Sequence, residues 1–570
     1  MIKPASIAVA QDILNIQDLS ISFDQKEVVS GVNLRLKKGM ILGIVGESGS
    51  GKTLSARAIL KLIQPPGLIQ SGSISYHSPQ FGTIDLLQAP SKLLQKIRGQ
   101  EISMIFQEPG SSLNPVFRCG TQVREVLQLH LKLSKQAAKI RSLELFEEVG
   151  LQEPLRMFQA YPHQLSGGQK QRVMIAMAMA TQPEILIADE PTTSLDVGIQ
   201  AKIIELLREL QRNRQMSMIF ITHDLGVLAK MADEVAVMQA GKLVETGTLD
   251  QILTHPQHPY TQALLACRPQ LEEKYHRFIA LADFVQDEKT EPKIISSAQQ
   301  KSRLAQLTAQ EPLWEIKDIA TYFKLRKSPL SFQHRLIKAV DGLSFQIFPG
   351  ETLGLIGESG SGKTTLGRSM LRLLEPQKGE IFYRQQSLLQ LSQQELRKLR
   401  KDIQIIFQDP FSSLNPRITI GKAIQEPMRV HGLYDSESQR KKQTIALLER
   451  VGLQETHYDR YPHAFSGGER QRICIARALA LAPQFIICDE CASSLDVSVQ
   501  AQILNLLKDL QDEKELTYLF ISHDLRVVRQ MSDRIMVMKA GKIVEIGDTD
   551  SLIKSPQHPY TQQLIEEARN

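Results

Sequence analysis

The chain has 570 residues, of which 42% are hydrophobic and 23% are charged, and its net charge is +6. This composition is typical of a globular protein with sizeable cores, and the small net charge argues against a dominant role in binding nucleic acid. Five scattered cysteines are too few for a disulfide framework in so long a chain, which indicates a reducing compartment. No stretch of sequence approaches the ~20 apolar residues that cross a bilayer, so any membrane role would need partner subunits.

The chain is a duplication of a unit of roughly 250 residues. The repeated segments are GESGSGKT at 46–53 and 357–364, SGG at 166–168 and 466–468, and PQHPYTQ at 256–262 and 556–562. Between the copies, residues 271–311 are polar and show little periodicity, so we interpret them as a linker that can include one short helix. We therefore expect one domain at 1–270 and a second at 312–570.

Apolar runs alternate with helical patterns along each unit. In the first unit, LGIVG (42–46) predicts a short strand that enters a glycine-rich loop, and a helical pattern follows the loop. EILIAD (184–189) and MSMIFITHD (216–224) are two further apolar runs, and each ends on a carboxylate. Strands that alternate with helices predict an α/β fold in which helices cover a mainly parallel sheet.

Both glycine-rich loops have the pattern G-x-x-x-x-G-K-[ST]. Glycines let successive N–H groups point at a phosphate, the lysine reaches the β- and γ-phosphate oxygens, and the threonine can ligate Mg²⁺. The helix that follows presents its positive end to the anion. The loop residues that we expect to bind ATP are Gly46, Glu47, Ser48, Gly49, Ser50, Gly51, Lys52 and Thr53, and Gly357, Glu358, Ser359, Gly360, Ser361, Gly362, Lys363 and Thr364. Two such matches, each between an apolar strand and a helix, rule out a chance glycine-rich turn.

Each unit also has an apolar strand that ends in two adjacent carboxylates. Asp189 and Asp489 are placed to hold Mg²⁺ through water. The neighbouring Glu190 and Glu490 are placed to polarise a water molecule toward the γ-phosphate. Such pairs suit phosphoryl transfer, in which positioning and electrostatics supply most of the catalysis. A simple acidic turn would explain one copy, but not two copies that each accompany a phosphate loop.

LSGGQ at 165–169 resembles the signature of the ATP-binding cassette superfamily, and FSGGE at 465–469 resembles it with two changes. The resemblance implies two tandem P-loop NTPase domains, each with a mainly parallel core sheet, an antiparallel β subdomain and a helical signature subdomain. The residues with implied roles are Gln107 and Gln408 of the Q-loops, the switch histidines His223 and His523, and the adenine-stacking Phe23 and Phe323, with Tyr322 as the alternative to Phe323. D-loops are implied at 194–196 and 494–496. The implied Mg²⁺ ligands are Thr53, Gln107, Asp189, Thr364, Gln408 and Asp489.

The resemblance also implies that the two cassettes pair within the chain and that each lends the other part of its ATP site. SGG opens a helix, so its N–H groups and serine hydroxyl offer a second anion cradle. The signature residues expected to clamp ATP are Ser166, Gly167, Gly168 and Gln169, and Ser466, Gly467, Gly468 and Glu469. Lys52 and Glu190 would face the second signature, and Lys363 and Glu490 the first. Because Glu469 adds a negative charge, we expect both sites to hydrolyse ATP and the site with Glu469 to be the slower.

SSLNP after each Q-loop, YPH before each signature and the HPYT tails resemble the oligopeptide, dipeptide and nickel importer branch. The tandem arrangement resembles the fused ATPases of glutathione-type and peptide-antibiotic-type uptake systems. The resemblance implies a peripheral ATPase on the cytoplasmic face of the inner membrane that uses ATP and Mg²⁺. Its implied partners are two integral-membrane permease subunits and an extracytoplasmic solute-binding protein, without nucleic acid. A nickel-type importer ATPase and a twin-cassette ATPase that acts on the ribosome are the alternatives, although the latter class has a long charged linker and lacks HPYT tails.

Overall fold

The computed structural model describes residues 11–24, 26–193, 197–281, 284, 293–326, 334–493 and 495–569. The chain divides into two compact units, Met1–Ala266 and Cys267–Asn570. The implied D-loop residues 194–196 and 494 lie outside the described residues. Among the residues that are described, no helix combines the length and the apolar character that crossing a membrane requires.

The first unit contains two β-sheets. The strands are β1 (Asp12–Phe23), β2 (Lys26–Lys37), β3 (Ile41–Val45), β4 (Gly67–Ser78), β5 (Gly82–Asp85), β6 (Ile102–Ile105), β7 (Ile185–Asp189), β8 (Ser217–Thr222), β9 (Glu234–Gln239) and β10 (Lys242–Thr248). The smaller sheet is antiparallel with the order β2-β1-β4-β5, and the larger has the order β10-β9-β3-β8-β7-β6. All neighbours in the larger sheet are parallel except β9 and β10.

Helices connect these strands and form a separate layer around the signature. The helices of the first unit are Lys52–Ile59, Ser91–Ile97, Pro109–Ser112, Cys119–Leu131, Lys135–Glu148, Pro154–Gln159, Gly167–Met179, Val197–Arg214, Leu225–Leu228, Leu249–Thr254 and Pro259–Ala266, with a 3₁₀ turn at Pro162–Gln164. The signature helix Gly167–Met179 packs against Cys119–Leu131 and Lys135–Glu148.

The second unit repeats this architecture. Its strands are β11 (Trp314–Arg326), β12 (His334–Ile347), β13 (Thr352–Ile356), β14 (Lys378–Tyr383), β15 (Gln386–Ser387), β16 (Ile403–Ile406), β17 (Phe485–Asp489), β18 (Thr517–Ile521), β19 (Arg534–Lys539) and β20 (Lys542–Asp548). Its helices are Ser297–Thr308, Lys363–Met370, Gln393–Leu399, Pro410–Ser413, Ile420–Val430, Glu437–Arg450, Gly467–Leu479, Val497–Lys514, Leu525–Met531, Thr549–Lys554 and Pro559–Arg569, with 3₁₀ turns at Leu388–Gln390, Glu455–His457 and Pro462–Ala464. The sheet orders β12-β11-β14-β15 and β20-β19-β13-β18-β17-β16 match those of the first unit.

The central strands explain why the apolar runs were readable in the sequence. Every residue of β3, β7 and β8 is buried, and so is every residue of β13, β17 and β18. Parallel strands that are covered on both faces need continuous apolar sequence, because neither face meets water. The predicted α/β fold, with a mainly parallel sheet, an antiparallel β subdomain and a helical signature subdomain in each unit, is confirmed.

The described residues 267–281 and 293–308, here called the connecting segment, belong to the second unit. Leu271 and Phe278 are part of its hydrophobic core. The backbone of Phe278 exchanges two hydrogen bonds with the side chain of Asn505, at 2.8 and 2.9 Å. The buried Lys274 donates from Nζ to the carbonyl oxygen of Ser532 at 2.6 Å. The connecting segment also contains the helix Ser297–Thr308, of which Leu307 is the one buried residue.

Candidate functional site

The first phosphate loop folds tightly around its own lysine. Lys52 is only 4% exposed, and its Nζ donates to the carbonyl oxygens of Gly46 and Glu47, both at 2.7 Å. A Cβ at Gly46 would collide with the carbonyl oxygen of Met238, and Gly51 has a φ of +96°, so both positions favour glycine. The loop thus has the shape expected of an anion cradle, and its own carbonyl groups hold the lysine.

The second phosphate loop has the same construction. Lys363 is 5% exposed and donates to the carbonyl oxygens of Gly357 at 2.7 Å and Glu358 at 3.0 Å. A Cβ at Gly362 would collide with the carbonyl oxygen of Ala339. The two loops of the duplicated chain are therefore built alike, down to the atoms that hold the lysine.

The threonine of each loop contacts the aspartate that ends the neighbouring strand. Thr53 Oγ1 donates to Asp189 Oδ1 at 2.9 Å, and Thr364 Oγ1 donates to Asp489 Oδ1 at 2.9 Å. Burial raises the pKa of both aspartates. The other carboxylate oxygen of Asp189, Oδ2, is buried and has no hydrogen-bond partner in the described part of the chain. A hydroxyl beside an orphaned carboxylate oxygen is the kind of oxygen donor set that hard divalent cations prefer.

Glu190 is held in a strained position at the end of β7. Its φ is +46°, in the left-handed region that costs energy for residues other than glycine. Its Oε2 accepts from Gln107 Nε2 and Thr193 Oγ1, both at 2.9 Å, and His223 Nδ1 lies 3.6 Å from the same oxygen. Although burial works against it, His223, Thr193 and Lys52 together lower the pKa of Glu190 to about 2. Glu190 is therefore ionised, as a group that polarises water must be.

Glu490 has the corresponding environment in the second unit. Its φ is +50°, its Oε2 accepts from Gln408 Nε2 at 2.7 Å, and His523 Nδ1 lies 3.3 Å from that oxygen. Burial again opposes ionisation, but His523 and Lys363 lower the pKa of Glu490. In both units the structure therefore brings the loop lysine and threonine, the Q-loop glutamine, both carboxylates and the switch histidine together.

The first signature begins a helix through a capping box. Ser166 Oγ accepts from the Gln169 N–H at 3.3 Å, and Gln169 Oε1 accepts from the Ser166 N–H at 3.0 Å. A Cβ at Gly168 would come within 2.8 Å of Ile199 Cγ2. Gly168 thus permits close packing against the helix Val197–Arg214, whereas Ser166 is exposed at the tip of its helix.

The second signature forms the same box with a carboxylate. Glu469 Oε2 accepts from the Ser466 N–H at 2.9 Å and from Ser466 Oγ at 2.8 Å. Although partial burial works against it, these donors lower the pKa of Glu469. A Cβ at Gly468 would come within 2.5 Å of Val499 Cγ1, whereas the nearest atom to one at Gly467 is 3.9 Å away. The negative charge predicted to face a phosphate is therefore turned onto the serine of its own signature.

The two expected adenine-stacking residues have different surroundings. Phe23 is half-buried at the end of β1, where its ring occupies the space beside Gly67. Phe323 is 39% exposed at the corresponding position of β11. The alternative, Tyr322, donates from its hydroxyl to Asp341 Oδ1 at 2.6 Å and is thereby held against its own sheet. Stacking on adenine stays a prediction for Phe23 and Phe323.

Sequence reasoning missed one contact to each phosphate loop. The Glu47 N–H donates to the hydroxyl of Tyr260 at 3.1 Å, and the Glu358 N–H donates to the hydroxyl of Tyr560 at 2.9 Å. Both tyrosines lie in the repeated PQHPYTQ tails, far from the loops along the chain. The repetition of the tail was the available signal, but the sequence alone did not connect the tail to the loop.

Comparisons with known proteins agree with this geometry. A family model described as "ABC transporter" matches residues 29–193 and 340–493, and one described as "Oligopeptide/dipeptide transporter, C-terminal region" matches residues 244–293 and 544–568. The chain is 47% identical over 562 residues to "Glutathione import ATP-binding protein GsiA" of Salmonella choleraesuis, with 98% of this chain and 89% of the relative covered. It is 48% identical over 569 residues to the protein of that name from Escherichia coli O157:H7, with the same coverage. A solved dimeric ATP-binding cassette in a post-hydrolysis state, bound to ADP and Pi, is 29% identical over 41% of this chain and 98% of its own, with a TM-score of 0.38.

Proposed function

This chain belongs to the ABC transporter family, and from that premise we propose that it is the ATP-hydrolysing subunit of an importer for glutathione or similar small peptides. The observation that carries the proposal is the match to the glutathione import ATP-binding proteins, which covers 98% of the chain and so includes both cassettes and both tails. We also retain 1–270 and 312–570 as the proposed bounds of the cassettes, with 271–311 between them as a segment whose residues Leu271 and Phe278 pack in the core of the second unit.

The residues of each unit fit ATP with Mg²⁺. In the first unit Thr53, Gln107 and Asp189 would hold the ion, and the buried, unpartnered Oδ2 of Asp189 supports this assignment. Thr364, Gln408 and Asp489 would do so in the second unit. When bound, Mg²⁺ would supply positive charge that offsets the negative charge of the phosphate groups. Lys52 would donate to the phosphate oxygens in place of the loop carbonyls.

Hydrolysis would then depend on the ionised glutamates. Glu190 would orient and polarise a water molecule toward the γ-phosphate while Gln107 and His223 hold its carboxylate in place. Glu490 would do the same with Gln408 and His523. The serine and glycines at the start of each signature helix would complete the ATP site of the other cassette through their N–H groups and hydroxyl.

The proposed partners are two integral-membrane permease subunits and an extracytoplasmic solute-binding protein, with this chain peripheral to the cytoplasmic face of the inner membrane. The import role of the relatives supports this arrangement. We propose glutathione or a similar small peptide as the solute.

Uptake by cells that lack the chain tests the proposal. We expect the deletion strain to lose uptake of labelled glutathione or labelled di- and oligopeptides, and the intact chain to restore it. The double variant Lys52→Ala, Lys363→Ala is the matched control, because it should be produced but should not restore uptake. Intact peptide and glutathione uptake with lost nickel uptake would favour the nickel-type alternative. Sedimentation of the chain with ribosomes instead of membranes would favour the ribosomal alternative.

A further inference from the structure

The tail of each cassette is fastened to the same unit by a repeated set of hydrogen bonds. In the first unit the carboxylate of Glu245 on β10 accepts from the Gln257 N–H at 2.7 Å and the His258 N–H at 3.1 Å. His258 Nδ1 in turn accepts from the Tyr260 N–H at 3.2 Å. Gln257, His258 and Tyr260 of the tail are thus held in one conformation, which fixes where the tyrosine ring lies.

The second unit repeats this arrangement. The carboxylate of Glu545 accepts from the Gln557 N–H at 2.9 Å and the His558 N–H at 3.1 Å. His558 Nδ1 accepts from the Tyr560 N–H at 3.1 Å. Lys539 Nζ also lies 4.2 Å from the centroid of the Tyr560 ring. The two cassettes, whose sequences differ elsewhere, therefore share the same hydrogen bonds between the tail and the glutamate.

Both tyrosines are directed at the same peptide of the phosphate loop. Tyr260 is 4% exposed and Tyr560 is 3% exposed, and each hydroxyl accepts from the N–H of the residue after the first loop glycine. The carbonyl oxygen of the same peptide, which belongs to Gly46 or Gly357, accepts from the loop lysine. One loop peptide is therefore held at its N–H by the tail and at its C=O by the lysine.

We expect a bound nucleotide to affect the lysine contact and the tyrosine contact of this loop peptide differently. The lysine would turn from the loop carbonyls to the phosphate oxygens, whereas no contact of the described residues would require the tyrosine to move. The tail then supplies a fixed point for the loop, and the loop N–H groups stay aimed at the phosphates. Preorganised donors bind charge more strongly because they do not reorganise when the ligand arrives.

We propose that Tyr260 and Tyr560 are positioning residues, through which the repeated tails preorganise the phosphate loops for ATP. This inference rests on the proposed function for the identity of the nucleotide. It adds to that function a role for the tail, which is to position the phosphate loop.

The test measures nucleotide affinity of the purified full chain, so that it is independent of transport and of any permease. Tyr260→Phe and Tyr560→Phe keep the ring and remove the hydroxyl. We expect each variant to raise the Kd for a fluorescent ATP analogue at its own site by roughly 2- to 10-fold, as the loss of one hydrogen bond predicts. Titrating Tyr260→Phe in a Lys363→Ala background, and Tyr560→Phe in a Lys52→Ala background, isolates the two sites.

A matched control separates positioning from general stability. Tyr518→Phe also removes a buried tyrosine hydroxyl, which donates to the carbonyl oxygen of Leu507 at 3.0 Å, away from the loop. It should lower the melting temperature without changing the Kd. Unchanged affinity in the Tyr260 and Tyr560 variants, or an equal loss of affinity in Tyr518→Phe, would overturn the proposal. If Tyr260→Phe fails to fold, Glu245→Gln loosens the same tail, and it should raise the Kd in the same direction; no rise would again overturn the proposal.

Discussion

Replacing Glu469 with glutamine tests the electrostatics of the second signature, because Gln169 occupies the same position in the first. In the second unit a single carboxylate oxygen holds both the N–H and the hydroxyl of Ser466. A hydrogen bond to a charged group contributes about 1.5–3 kcal/mol, against about 1 kcal/mol for a neutral one. The substitution keeps the capping box but weakens the hydrogen bond from the Ser466 hydroxyl to residue 469 by about 1 kcal/mol. The hydroxyl is then more available to ATP, and this energy corresponds to about fivefold in ATP binding or turnover at the site that Ser466 completes.

The assay follows ATP hydrolysis in a Glu490→Gln background, where only the site proposed to combine Lys52 with Ser466 turns over. We expect Glu469→Gln to increase kcat/KM there by about fivefold while it lowers thermal stability, since a helix N-terminus loses a negative charge that is worth about 0.3–1 kcal/mol. The reciprocal change, Gln169→Glu, should slow the other site when it is measured in a Glu190→Gln background. A change in rate of less than twofold would refute the reasoning about the serine hydroxyl. A gain seen only in the Glu190→Gln background would refute the proposed pairing of the cassettes.

Three further outcomes are expected. Glu190→Gln should lower hydrolysis at its own site by about 10²- to 10⁴-fold while ATP binding persists, because the variant keeps the shape of the side chain but loses the group that polarises water; unchanged single-turnover hydrolysis would contradict this role. Gly468→Ala should lower the free energy of unfolding by about 1–3 kcal/mol relative to Gly467→Ala in denaturant titrations, since the new methyl would press on Val499, whereas the nearest atom to the control methyl, on Leu495, is 3.9 Å away; equal stabilities would contradict the packing argument. Burial lowers the pKa of Lys508 to about 7, so the folded protein should gain stability as the pH rises from about 7 to about 10, where the unfolded chain still holds the proton; Lys508→Met should flatten that rise by up to about 1.4 kcal/mol per pH unit, and an unchanged slope would contradict it.

The strands and the phosphate loops could be read from the sequence because their constraints are local. A buried parallel strand such as β7 needs continuous apolar residues, and a loop that wraps a phosphate needs glycine where a Cβ would collide, as at Gly46. The proposed catalytic carboxylate pair follows for the same reason, since Asp189 ends that strand and Glu190 comes directly after it.

Contacts between distant parts of the chain could not be read in this way. The hydrogen bond between Glu47 and Tyr260 joins residues 213 positions apart, and no periodicity records it. The connecting segment is polar in sequence, yet Lys274 and Phe278 are buried against the second cassette because helix ends and side-chain amides satisfy their polar groups. The charge of Glu469 was visible in the sequence, but the direction of its carboxylate depends on the capping box, which forms only once the helix does.

The packing of the connecting segment decides where a tandem gene of this kind could be divided. A break between Ala266 and Cys267 would follow the boundary between the two compact units. A break at residue 311, where the sequence looks most like a spacer, would remove Leu271 and Phe278 from the hydrophobic core of the second product. The apolar residues that they cover would then be exposed to water. Separately encoded descendants or ancestors of the second cassette are therefore expected to carry the segment as an N-terminal extension.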